Sequence, residues 1–157
     1  MTDSGALLEV RGLTKHFPVK RRGLLGGRGG VVQAVDNLDL TVHEGEAVGL
    51  VGESGCGKST TGRLITRLLE PTAGSIVFNG RDITHASAAD LREKRGELQM
   101  IFQDPYASLN PRMTVGRMLA EPLKLHGLAP DERQRRARVA ELLELVGLRP
   151  DHARRYP

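Results

Sequence analysis

The 157 residues are enough for one domain. With 27% charged and 39% hydrophobic residues they have the balance of an ordinary globular protein, and no apolar run approaches the roughly 18 residues that a membrane span needs. The net charge of +4 raises the question of nucleic acid, but aromatic residues make up only 3% and the basic residues are spread along the chain, so little is available for base stacking and no nucleic-acid partner is expected. Cys56 is the only cysteine, which excludes an internal disulfide, and the five histidines show no zinc-ligand spacing. The N-terminal residues have neither the basic start nor the apolar core of a secretion signal, so a cytosolic protein is expected.

Residues 7–13 alternate as a strand with Leu8 and Val10 facing inward, and residues 14–18 are expected to leave it. Residues 18–30 hold Lys20, Arg21, Arg22 and Arg28 among glycines, the composition of a solvated loop; contact with acidic headgroups or a partner is the functional alternative. Residues 31–35 and 38–42 read as two further strands joined by a turn at Asp36-Asn37. In the second, Leu38, Leu40 and Val42 alternate with Asp39, Thr41 and His43. Together these predict an antiparallel sheet ahead of residues 46–51, which read as a short buried strand.

That strand runs into Gly52-Glu53-Ser54-Gly55-Cys56-Gly57-Lys58-Ser59-Thr60, which fits G-x-x-x-x-G-K-[ST], the phosphate-binding P-loop. The glycines let backbone N–H groups close around an anion. Lys58 brings a point charge to the β- and γ-phosphates, the Ser59 hydroxyl suits Mg²⁺, and the next helix turns its positive end to the phosphates. The motif means this only between a strand and a helix. The helix is expected from Leu64, Ile65, Leu68 and Leu69 on one face, with Pro71 and Gly74 stopping it. Cys56 is read as contributing its backbone; the sharper alternative is a thiol whose alkylation blocks nucleotide.

Beyond the loop, residues 74–80 read as a strand and turn. Ser87 with Asp90 forms a capping box opening a helix to about Arg95, and residues 98–102 are strand-like up to Gln103-Asp104-Pro105. Residues 106–113 read as a loop. A helix from Thr114 is expected to be kinked or ended by Pro122 and stopped by Gly127. Pro130 suits the first turn of a last helix, which carries Val139, Leu142, Leu143 and Val146 on one face. Asp131–Arg135 and Glu132–Arg136 are its expected ion pairs, and Gly147 its end.

The P-loop, the strand ending at Gln103 and the helical stretch after it resemble the nucleotide-binding subunit of ATP-binding cassette (ABC) transporters. Residues 49–60, the stretch Phe102-Gln103-Asp104-Pro105-Tyr106-Ala107-Ser108-Leu109-Asn110-Pro111-Arg112 and the basic insert before Val31 resemble the peptide-importer branch. The resemblance implies an α/β P-loop NTPase core with an N-terminal antiparallel β-subdomain (residues 1–100) and a Gln-loop with part of a helical subdomain (residues 101–157). It implies ATP and Mg²⁺ as cofactors, with Phe17 stacking on adenine and Gln103 reaching the metal and attacking water. The partners implied are transmembrane permease subunits and a second ATP-binding subunit, on the cytoplasmic face of the membrane. The family's Ser-Gly-Gly-Gln motif, acidic strand end and switch histidine are not found in these residues. The chain is therefore expected to be the front of a longer subunit, to bind ATP weakly and hydrolyse it negligibly, and to be marginally stable alone with an open apolar sheet edge. A soluble cassette ATPase acting on nucleic acid or ribosomes, and a non-hydrolysing regulatory module, are the competing readings. A GTPase is disfavoured by the lack of an Asn-Lys-x-Asp motif.

Overall fold

The computed structural model describes residues 5–19, 30–104 and 108–157. Residues 20–29 of the loop expected at 18–30, and residues Pro105-Tyr106-Ala107, lie outside them. The chain forms two compact units, Met1–Met100 and Ile101–Pro157.

The first unit is built on an antiparallel sheet. Strand β1 (Ala6–Pro18) lies between β2 (Val31–His43) and β3 (Ala73–Phe78), and the two-residue β4 (Arg81–Asp82) flanks β3, giving the order β2-β1-β3-β4. Leu8, Val10 and Leu13 of β1, Val35 of β2 and Ile76 and Phe78 of β3 form the core with Ile83 and with Leu64 of helix α1 (Lys58–Ile65). Leu8 and Val10 point inward as their alternation predicts. Leu38, Leu40 and Val42 are half-buried while Asp39, Thr41 and His43 are exposed, also as predicted.

The strands differ from expectation in three ways. β1 does not leave the sheet after Leu13; it runs to Pro18, which pairs with Val31. The two strands expected at 31–35 and 38–42 are one, because Asp36-Asn37 forms a bulge rather than a turn. Asn37 takes φ 48°, which an asparagine tolerates, and its N–H donates to Thr14 Oγ1 at 3.1 Å, so the ladder resumes beyond it. Residues 46–51 and 98–102 are irregular chain, since their backbones meet no strand to pair with among the described residues; Val51 and Ile101 are 93% and 97% exposed.

Helix α1 stops at Ile65, before Pro71. Arg67 takes φ 53°, Leu68 N–H donates to Arg63 O and Arg67 N–H to Leu64 O, a left-handed C-terminal turn that leaves Leu68 outside the apolar face. Helix α2 (Ala88–Lys94) opens with the predicted capping box. The Ser87 hydroxyl accepts from Asp90 N–H, and the Asp90 carboxylate accepts from the Ser87 hydroxyl at 2.6 Å and from Ser87 N–H, which together hold the Asp90 carboxyl below its ordinary range.

The second unit pairs α3 (Val115–Leu125) with α4 (Glu132–Leu145), followed by a 3₁₀ turn (Pro150–Arg154); Leu123, Ala129, Val139 and Leu143 form its core. Pro122 lies within α3 without ending it. The helix closes at Gly127, where Leu128 N–H donates to Leu123 O, and α4 closes likewise at Gly147. Pro130 lies outside the last helix, because Asp131 is its cap and accepts from Gln134 N–H at 2.7 Å. Asp131 therefore does not pair with Arg135, whose guanidinium donates to the Ala129 and Pro130 carbonyls, whereas Glu132 and Arg136 do pair. Val139 and Leu143 are buried, but Val146 is exposed beyond the helix end.

Candidate functional site

The loop from Gly52 to Thr60 enters α1 through Gly57, which caps the helix with φ 98° and ψ 0°. This left-handed conformation suits glycine, and a Cβ here would also run into the carbonyl oxygen of Ala34 on β2. Gly57 is thus held by its backbone conformation and by the sheet behind it. The same part of β2 pairs with Phe17: Phe17 lies opposite Val32, two residues from Ala34, so the aromatic and the loop share one end of the β1–β2 ribbon. Phe17 is 37% exposed, and Lys15 Nζ sits 5.1 Å from its ring centroid, a cation–π contact.

Lys58 folds back over the loop. Its Nζ donates to Gly52 O and Glu53 O, both at 2.6 Å, and lies 3.4 Å from Cys56 Sγ. Cys56 N–H donates to Glu53 O at 3.3 Å, which tightens the turn through Ser54 and Gly55. The N-terminus of α1 has no side-chain cap and no acidic residue in its first turn, so its positive end carries no neutralising group of its own. Ser59 is exposed at the second helical position, and Thr60 follows it half-buried. Thr61 turns inward, its hydroxyl donating to Gly57 O at 3.1 Å. The free, exposed Cys56 thiol turns toward Gly52 within the loop. These residues fit a triphosphate: backbone donors, one ammonium group and a hydroxyl converge, with no carboxylate in the first turn to repel it.

Gln103 belongs to the second unit, on exposed irregular chain after Phe102. Among the described residues no group of three His, Cys, Asp or Glu side chains is placed to hold a metal ion.

Three contacts at this site were not anticipated. Ala34 backs Gly57, a contact between distant residues with no local signal. Buried Arg67 donates through Nε to Ile83 O at 2.9 Å, and Arg95 clasps the end of α1 by donating to Thr66 O and, at 3.0 Å, to Arg67 O. No local sequence signal marks either arginine for these contacts.

Comparison with known proteins gives this geometry its class. The ABC transporter family model matches residues 35–157, and the chain belongs to that family. It is 53% identical over 152 residues to the oligopeptide transport ATP-binding protein OppF of Bacillus subtilis, covering 96% of this chain and 47% of OppF. It is 50% identical over 157 residues to the glutathione import ATP-binding protein GsiA of Escherichia coli K12, covering all of this chain and 25% of GsiA. The chain thus spans about half of one curated relative and a quarter of the other. Among solved structures, the dimeric ATP-binding cassette MJ0796, bound to ADP and Pi in a post-hydrolysis state, superposes with a TM-score of 0.76 at 26% identity, over 96% of this chain and 61% of MJ0796. The fold is the α/β ATP-binding cassette fold expected from the motifs, and domains of this kind bind ATP. No helix among the described residues is long and apolar enough to cross a membrane.

Proposed function

We propose that the chain binds Mg²⁺-ATP through Gly52–Thr60 and acts within the ATP-binding subunit of an ABC importer for peptides. The observation that carries the reading is the seating of Gly57: a left-handed glycine wedged on the Ala34 carbonyl at the uncapped start of α1, with Lys58 folded over the loop. The backbone N–H groups of residues 55–60 would surround the phosphates, the Lys58 ammonium would offset their charge and the Ser59 hydroxyl would hold the metal. Bound Mg²⁺ supplies charge neutralisation at the phosphate oxygens. Phe17 would stack on the base; such stacks are worth about 1–3 kcal/mol in nucleic-acid binders. Gln103 would contact the metal and the attacking water.

The names of OppF and GsiA support peptides or glutathione as the kind of cargo. The dimeric MJ0796 cassette supports a second ATP-binding subunit as partner. Transmembrane permease subunits would complete the importer, with this subunit peripheral on the cytoplasmic face. Division into a β-rich P-loop part (1–100) and a Gln-loop and helical part (101–157) belongs to the same proposal.

Calorimetric titration of the chain with ATP tests it. Lys58→Ala should weaken binding at least about tenfold, equivalent to about 1.4 kcal/mol, and omission of Mg²⁺ should weaken the wild type. Unchanged affinity in both experiments would sink the reading.

A further inference from the structure

Lys15 has no assigned role, yet it touches both the aromatic ring of this site and the chain that leaves the P-loop helix. It stands two residues before Phe17 on β1, so the two side chains share one face of the strand, and its Nζ sits over the Phe17 ring, 5.1 Å from the centroid. The same ammonium donates to Glu70 O at 2.7 Å, on the segment that follows α1.

The strand beneath Lys15 is fixed to that segment as well. Thr72 N–H donates to Thr14 O at 2.8 Å, and the Thr72 hydroxyl accepts the His16 backbone N–H at 3.0 Å. Lys15 is thus held at both ends, its backbone by the neighbouring bonds to Thr72 and its ammonium by the Glu70 carbonyl. Across the ribbon, Lys15 pairs with Val35 and His16 with Gln33, so β2 carries one extra residue here, Ala34, and the carbonyl of this bulged residue seats Gly57 of the P-loop. The P-loop helix therefore meets this end of the ribbon twice, at its start through Gly57 on Ala34 and beyond its end through Glu70 on Lys15.

A cation over an aromatic face steadies the ring and takes that face out of use. Phe17 is 37% exposed, and with the ammonium on one face the surface left for a flat base is the opposite face. A ring free to turn has to be ordered when a base stacks on it, at a cost in side-chain entropy. A ring already held avoids that cost, so removal of the cation weakens binding of the base and not of the phosphates.

We propose that Lys15 is a positioning residue of the base site: it holds the Phe17 ring by one face, on a tether to the chain leaving the P-loop helix, and so presents the other face to the adenine of ATP. This rests on the roles proposed above for Phe17 and the P-loop.

Titration of the 157-residue chain with Mg²⁺-ATP and, separately, with Mg²⁺-tripolyphosphate tests it, because tripolyphosphate offers the phosphates without a base. The readout is the ratio of the two affinities, which a general effect of charge or of folding leaves alone. Lys15→Met, which keeps the apolar stem and removes the cation, should lower that ratio about threefold, equivalent to about 0.65 kcal/mol and the size of an exposed cation–π contact. Lys15→Arg, which keeps a cation and a donor, should retain it. In a Phe17→Ala background, Lys15→Met should change the ratio no further. An unchanged ratio in Lys15→Met, whatever happens to the two affinities, overturns the proposal, and so does a threefold fall that persists without Phe17. A wild type that binds ATP no better than tripolyphosphate overturns the base contact assigned to Phe17 and this proposal with it. A wild type that binds neither ligand overturns the P-loop reading itself and everything built on it.

Discussion

Residues Met1–Met100 hold together through partners far apart in sequence: Leu8 lies against Phe78, Val10 between Leu40 and Ile76, and Leu64 of α1 completes their core. Residues Ile101–Pro157 hold together through a helix pair whose ends are specified by their immediate neighbours: Thr114 and Asp131 at the starts, Gly127 and Gly147 at the stops. A helix end is satisfied within one turn, so a few residues decide it. A strand exists only where another strand offers its N–H and C=O groups, and the chain decides that globally. The P-loop joins both regimes, with a locally specified glycine turn resting on a strand placed by tertiary pairing.

The largest effect expected from a probe of this contrast is in the helical unit. Leu143→Ala, at a position 2% exposed, should cost about 2–5 kcal/mol, seen as lost hydrogen-exchange protection across α3 and α4. Gly57→Ala probes the joint. A left-handed alanine meeting the Ala34 carbonyl should cost about 1–3 kcal/mol from backbone strain, and it should abolish ATP binding in the same titration that tests Lys58. Survival of affinity would show that the loop does not need its seat on β2.

Arg67→Ala should cost about 1–3 kcal/mol in chemical unfolding, because it leaves the Ile83 carbonyl without its donor and keeps a left-handed backbone. Arg67→Gly should recover part of that loss. If both variants are neutral, the side chain contributes nothing to the end of α1. Asp131→Ala, a cap on an exposed surface, should cost about 1 kcal/mol by the same measurement.

The smallest effect concerns pH. The hydrogen bonds from Ser87 hold the Asp90 carboxyl below its ordinary range, so the charged form is favoured in the folded chain. The contribution of the capping box is then fully present above the ordinary carboxylate range and lost as pH falls through the lowered value. Protection of the α2 amides should fall over that acidic interval, and Ser87→Ala should remove the dependence.

These contrasts explain what could be read in advance. The capping box at Ser87, the stops at Gly127 and Gly147 and the helical start after Lys58 appear where residue chemistry places them. The failures are mostly of long range. Asp36-Asn37 has the composition of a turn, yet the continuing register with β1 makes it a bulge. Residues 46–51 have the composition of a strand, but no pairing partner lies beside them among the described residues. Arg67 ends α1 although neither proline nor glycine marks the position, since a buried guanidinium network holds the left-handed turn in place. At the site, the residue types from Gly52 to Thr60 were legible because phosphate binding needs backbone donors, a cation and a hydroxyl at fixed spacing. The support from Ala34 and the clasp from Arg95 were not, because nothing near them in sequence refers to the loop.

The sequence by itself determined the kind of chemistry: a glycine-rich anion cradle with Lys58 and Ser59 in set positions, and helices bounded by their own caps. Tertiary structure alone decided where that cradle rests, on the bulge of β2 beside Phe17, and with it the anchoring of Lys15 on the Glu70 carbonyl. Bond geometry and side-chain chemistry act over a turn or two of chain. Strand register and bulge position depend on pairing between segments far apart, and only the folded sheet brings those together.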